Sequence, residues 1–135
     1  MEIKMGSKFE FSFSFSQKDV ENFANATGDF NPIHLDAEYA KNTIFEKPII
    51  HGFLGGSVFS KVFGTMFPGE GTIYLKQNMN FYKPMFVDEK YKALFDVIEI
   101  LAEKKRAIIS TLILDMKDNI VIKGEALIQH QEIKL

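Results

Sequence analysis

From Phe9 to Ser16 the chain alternates, with Phe9, Phe11, Phe13 and Phe15 on one side and Glu10, Ser12 and Ser14 on the other. A period of two places every second side chain on one face, so this stretch predicts a strand with one buried face. The period then changes. Val20, Phe23, Ala24 and Thr27 recur at helical spacing behind Ser16 and Asp19, a pair that reads as a capping box. A helix starts near Gln17, and Gly28 suits its left-handed C-terminal position. Asp29 to Pro32 then form a turn. Asp36 caps a second short helix through Tyr39 and Ala40, with His34 held between the two helical pieces.

From about Gly52 to Met66 the residues Phe53, Leu54, Val58, Phe59, Val62, Phe63 and Met66 fill nearly every side of a third helix, the pattern of one buried all round. Its small residues Gly55, Gly56, Ser57, Ser60 and Gly64 cost helix propensity but let a sheet or a substrate approach the backbone. Pro68, Gly69 and Gly71 end it. Strand patterns follow over Ile73 to Tyr82, Tyr91 to Leu101, Arg106 to Met116 and Ile120 to Gln129. Pro84 separates the first two, and the short polar stretches Glu103 to Lys105 and Lys117 to Asn119 serve as hairpin connections. One strand, helices with one fully buried, then four strands is the order of an α+β domain whose antiparallel sheet wraps a central helix. Such a sheet leaves an apolar edge and face that a second copy commonly covers, so a homodimer is expected.

At 135 residues and 46% hydrophobic content the chain suits one domain, residues 1–135, and no second module. Sixteen basic against 18 acidic side chains give a net charge of −2 with no block of one sign, which points away from nucleic acid and membrane surfaces as partners. There is no cysteine, hence no disulfide and no thiolate metal site, in keeping with a reducing compartment. Met1 to Gly6 has no apolar core and does not read as a signal peptide, and no apolar run approaches the roughly 18 residues of a membrane span. A cytoplasmic protein is expected.

Chemistry concentrates in two places, Gly28-Asp29-Phe30-Asn31-Pro32-Ile33-His34 and His51-Gly52. An aspartate and a histidine five apart across a proline turn can face one cleft. Histidine titrates near pH 6.5 and an aspartate, usually about 3.9, rises when buried, so the two span acid and base work near neutrality. Gly52 adds a backbone N–H at a helix N-terminus, unpaired and at the positive end of the dipole, where it can hold an oxyanion. Plainer readings stand beside these. Asp29 and Asn31 fit a turn, His34 a hydrogen bond under a short helix, His51 a cap or a core residue, and Ser60 a bond back to the carbonyl four residues earlier. His130 sits at a strand end near the C-terminus, where exposure explains it, and the phenylalanines are core. Asp29-x4-His34 matches no helical metal-ligand spacing, so no metal is expected.

The stretch from Gly28 to His34, continued by Asp36, Ala40, Phe45, Pro48-Ile49-Ile50-His51-Gly52 and Ser60, resembles the hydratase-2 motif of MaoC-like, R-specific enoyl-CoA hydratases. Pro68-Gly69, Gly71, Tyr74, Gln77, Phe81 and Pro84 extend the likeness over most of the chain. It implies a hot-dog fold and hydration of a trans-2-enoyl-CoA to the (R)-3-hydroxyacyl-CoA, with no cofactor. It further implies that Asp29 and His34 are catalytic, that the Gly52 N–H polarises the thioester carbonyl, and that Ser60 contributes to the site. Asn31, His51 and Phe63 are expected against substrate, Phe63 shortening the acyl pocket or else packing as core. The expected partner is an acyl-CoA thioester, with acyl carrier protein as another carrier. Gly55-Gly56 and the bulky Phe63 depart mildly from the pattern. Two other functions fit the same site: thioester hydrolysis, which sends water to the carbonyl carbon and releases free CoA, and acyl-CoA binding without turnover, which needs neither Asp29 nor His34.

Overall fold

The computed structural model describes residues 3–133, so the outermost residues of the expected 1–135 domain lie outside it. Five strands and four helices follow in the order β1 (Lys8–Phe13), α1 (Gln17–Thr27), α2 (Pro32–Leu35), α3 (Ala37–Lys41), α4 (Gly52–Thr65), β2 (Ile73–Phe81), β3 (Tyr91–Leu101), β4 (Arg106–Asp115) and β5 (Ile120–Gln129), with a 3-10 turn at Ala102–Lys104. All strand pairs are antiparallel, in the spatial order β1-β3-β4-β5-β2.

The register puts the apolar members of each strand on one face. Phe9 lies opposite Phe95, Phe95 opposite Thr111, and Ile109 opposite Ala126, while Phe11 faces Ala93, Ala93 faces Ile113 and Ile113 faces Ile122. A one-residue slip would turn this whole set to solvent, so the alternation that predicts the strands also fixes their pairing. Helix α4 lies against this face. The rings of Phe59 and Phe63 meet Phe95 edge-on at 5.8 Å and 5.3 Å. Gly55 and Gly56 let the helix come close: a Cβ at Gly55 would fall 2.6 Å from Met85 Sδ, and one at Gly56 2.7 Å from Met79 Sδ. The pair admits the side chains of Met79 in β2 and of Met85 in the connection that follows it. Sheet and helix together form the hot-dog arrangement that the resemblance implies.

Two expectations are corrected. Helix α4 is not buried all round, because Phe53, Ser57, Ser60, Lys61 and Gly64 are exposed and Phe53 is 69% accessible. Apolar content decides that a helix packs but not which residues find neighbours. Strand β1 ends at Phe13, three residues early, because Ser16 is drawn into capping α1: its Oγ accepts the Asp19 N–H at 3.1 Å and the Asp19 carboxylate accepts the Ser16 N–H at 2.9 Å. Phe15 leaves the ladder, and its carbonyl instead accepts the Asp88 N–H.

Candidate active site

The site is assembled by the loops between α1 and α4. Gly28 ends α1 at φ 82°, a left-handed turn that a residue with a Cβ disfavours, and its N–H closes on Ala24 O at 2.8 Å. The chain reverses there and presents Asp29. Asp29 Oδ1 accepts the Asn31 N–H at 3.3 Å, Asn31 Oδ1 accepts the Ile33 N–H at 3.1 Å, and Pro32 opens α2 at a position that needs no N–H. His34 therefore lies inside a short helix of its own and not between two. Asn31, expected against substrate, is an exposed cap of that helix. Asp36 starts α3 by accepting the N–H groups of Glu38 and Tyr39, as its sequence position predicts.

A second segment straps α2 down. Ile49 N–H donates to Ile33 O at 3.1 Å and Ile50 N–H to Met85 O at 2.8 Å, which ties Pro48 to Gly52 between the short helices and the end of the sheet. Ile49 O then accepts from His34 Nδ1 at 2.8 Å. A carbonyl can only accept, so Nδ1 carries the hydrogen and Nε2 of the neutral ring holds a free lone pair. From α1, Gln17 Nε2 donates to the His34 carbonyl at 3.1 Å. His34 is 8% exposed, and burial holds its pKa below the usual imidazole value. The bond to Ile49 opposes that shift, the neighbouring His51 adds to it, and the Asp29 carboxylate opposes it.

A carboxylate oxygen of Asp29 and a ring nitrogen of each of His34 and His51 lie within 4.8 Å of one another. Asp29 itself is exposed, so the burial invoked above for an aspartate is not supplied by this chain. The two imidazoles stack, centroids 3.8 Å apart and planes 28° from parallel. A metal binds an imidazole along its in-plane lone pair at about 2.0–2.1 Å, and stacked rings do not aim two such lone pairs at one point. The stacking thus keeps the two rings from chelating one ion together.

Beside it runs a cleft of about 450 Å³ whose walls include His34, Phe45, Gly52, Phe81, Lys83 and Met85. Gly52 opens α4, and among the described residues no acceptor is paired with its N–H. A Cβ there would fall 2.8 Å from the Phe81 ring, so glycine is what lets that ring pack against the start of α4. Ser60 lies further along α4 on its exposed side and is not part of this cleft. Phe63 is not part of it either: it is 1% exposed and packed edge-on against Tyr74 and Phe95. Lys83 and Tyr82 were missed as wall residues, although an aromatic-basic-proline run just past an edge strand was visible in the sequence.

The model of the MaoC like domain matches residues 1–115. The chain belongs to the MaoC-like family. Among MaoC-like relatives, the (R)-specific enoyl-CoA hydratase of Aeromonas caviae is 37% identical, over 94% of this chain and 95% of that protein. The 3-hydroxybutyryl-CoA dehydratase of Methylorubrum extorquens is 37% identical, over 84% of this chain and 72% of its own length. The solved R-hydratase PhaJ1 of Pseudomonas aeruginosa superposes with a TM-score of 0.91 at 38% identity, covering 98% of this chain and 85% of that one.

The lowered pKa of His34 carries a pH dependence of stability. Between the folded value and about 6.5 the unfolded chain binds the proton that the folded chain refuses, so stability rises with pH across that window. The contribution is complete above about pH 6.5 and is lost as pH falls through the folded value. Urea unfolding of the wild type and of His34→Asn from pH 7.5 to 5 checks this: the wild type should lose more stability on acidification. Parallel curves would remove the claim.

Proposed function

We propose that this MaoC-like chain hydrates trans-2-enoyl-CoA to (R)-3-hydroxyacyl-CoA, and catalyses the reverse dehydration, with Asp29 and His34 as its acid/base pair. The observation that carries the reading is the His34 Nδ1 bond to Ile49 O, which leaves Nε2 of the neutral ring unprotonated, on a side chain that has a ring nitrogen within 4.8 Å of an Asp29 carboxylate oxygen at the wall of an apolar cleft. A water that makes two hydrogen bonds of about 2.8 Å spans roughly 4.5 Å between its partners, which suits the spacing of the pair. His34 Nε2 takes one proton from this water and the Asp29 carboxylate accepts its other hydrogen. As the hydroxyl oxygen bonds to C3, the electrons of the C2=C3 double bond move toward the thioester oxygen. The Gly52 N–H stabilises that growing charge at the start of α4, and return of the proton from the pair to C2 completes addition. The names of the Aeromonas and Methylorubrum relatives support both the reaction and the CoA thioester. Lys83 on the cleft wall offers a cation to a phosphate-bearing carrier.

Loss of the conjugated absorbance of crotonyl-CoA, with chiral analysis of the product, tests the reading. Release of free CoA without 3-hydroxybutyryl-CoA would assign thioester hydrolysis instead, and binding without turnover a silent acyl-CoA module. Among the described residues no helix is long and apolar enough to cross a membrane. The expected cytoplasmic location belongs to the same reading, and fractionation of a tagged chain checks it.

The active species in this reading is a homodimer paired along β2. That nine-residue strand is an edge of the sheet and exposes Ile73, Leu75 and Phe81, with Phe53 and Tyr82 nearby. A long apolar edge left open invites pairing with another chain, and a second copy there would also cover the open side of α4. Sedimentation at assay concentrations should give a dimer; an active monomer would remove this part of the proposal.

A further inference from the structure

His51 lies behind the acid/base pair rather than along the cleft. It is 2% exposed, its ring stacked against His34 at 3.8 Å and flanked by Phe23 of α1 at 4.7 Å. Its Nε2 lies 3.1 Å from the Asp29 carbonyl oxygen. That oxygen only accepts, so Nε2 carries the hydrogen, which in a neutral ring leaves Nδ1 as a lone pair. Nδ1 is buried and has no partner among the described residues. A buried polar atom without a partner destabilises a fold, and a phenyl ring would fill the same space without one. What an imidazole adds here over a phenyl is the N–H that meets Asp29.

We propose that His51 is a positioning residue: its Nε2–H fixes the Asp29 backbone while its ring face fixes the plane of His34, so one side chain sets the carboxylate and the imidazole relative to each other without touching substrate. This rests on the reading of Asp29 and His34 as the acid/base pair, and it replaces the expectation that His51 contacts substrate. Proton transfer within a bound water is sensitive to the placement of its partners, and misplacement by about 1 Å can cost about 10²-fold. The titratable groups against His51 are His34 and Asp29; α1 contributes the apolar Phe23.

Three variants of the full chain test the assignment with crotonyl-CoA: His51→Phe, which keeps a ring and loses the donor; His51→Gln, whose amide reaches the Nε2 position; and His51→Asn, whose amide stops short. Kinetics are read beside melting curves and the NMR shift of the Phe30 amide, which shares a peptide group with the Asp29 carbonyl. The Phe and Asn variants should lose about 30-fold or more in kcat with KM within about twofold, and the Gln variant should recover to within about fivefold of wild type. The Phe30 amide should move in the first two and return in the third. Wild-type kcat in the Phe or Asn variant, equal losses in all three, or a loss confined to KM would overturn the proposal. Wild-type protein that leaves crotonyl-CoA unchanged overturns the hydratase reading itself; the Phe30 amide then decides the bond alone, and an unmoved shift removes it.

Discussion

Asp29→Asn and His34→Asn are each expected to lower kcat by about 10² to 10⁴-fold, the usual contribution of a general acid or base. Asparagine is the replacement of choice at both positions. At 29 it retains the side-chain oxygen that accepts the Asn31 N–H, and at 34 its amide can occupy the Nδ1 position that donates to Ile49 O, so the loops should keep their shape. What is lost is the carboxylate charge in one case and the Nε2 lone pair in the other. Because both groups act on one water, the double variant should lose less than the product of the single losses. The acid limb of kcat/KM for the wild type should lie below pH 6.5, since only the neutral His34 ring can take a proton and burial holds its pKa down. Either variant with near-wild-type turnover and an unchanged melting temperature would show that the pair is not the acid/base machinery.

The parts of the fold that local chemistry decides were legible in the sequence. The alternating Phe9, Phe11 and Phe13 of β1, the capping box of Ser16 and Asp19, the left-handed Gly28 and the Asp36 cap each act within a few residues and are where the pattern puts them, while the strand stops short of Phe15. The strand limits of β3 and β5 agree to the residue with those expected. What was not legible depends on contacts distant along the chain. The tautomer of His34 is set by Ile49, 15 residues away, and the place of His51 by its bond to Asp29, 22 residues away. Asn31 combines both lessons. Its type and position marked a loop with chemistry nearby, but its side chain is engaged in starting α2, as the plainer turn reading had it. The small residues of α4 likewise signalled close approach correctly, while only the packing reveals that Met79 and Met85 are what approach.

Phe63→Ala should cost about 3–5 kcal/mol of stability, the range for removing a buried phenyl ring, and should leave the chain-length preference unchanged. The ring is 1% exposed, meets Tyr74 at 5.2 Å and Phe95 at 5.3 Å in edge-on contacts, and faces the sheet from the buried side of α4. Truncation removes those contacts and opens a void that the rigid β3 and α4 backbones close only in part. Of the two sequence expectations for this residue, a shortened acyl pocket or ordinary core, the packing favours the second, since the cleft beside His34 is walled by Phe45, Phe81 and Met85 and not by Phe63. Any limit on acyl length in this cleft is then set by those walls. Measuring kcat/KM for four-, six- and eight-carbon enoyl-CoAs together with the melting temperature separates the two roles. A melting temperature lower by on the order of 10 °C with unchanged substrate ratios is the expected result. A gain of about 10-fold or more for the eight-carbon substrate over the four-carbon one would instead place Phe63 at the end of the acyl pocket, because relief of steric exclusion worth about 1–3 kcal/mol has that size.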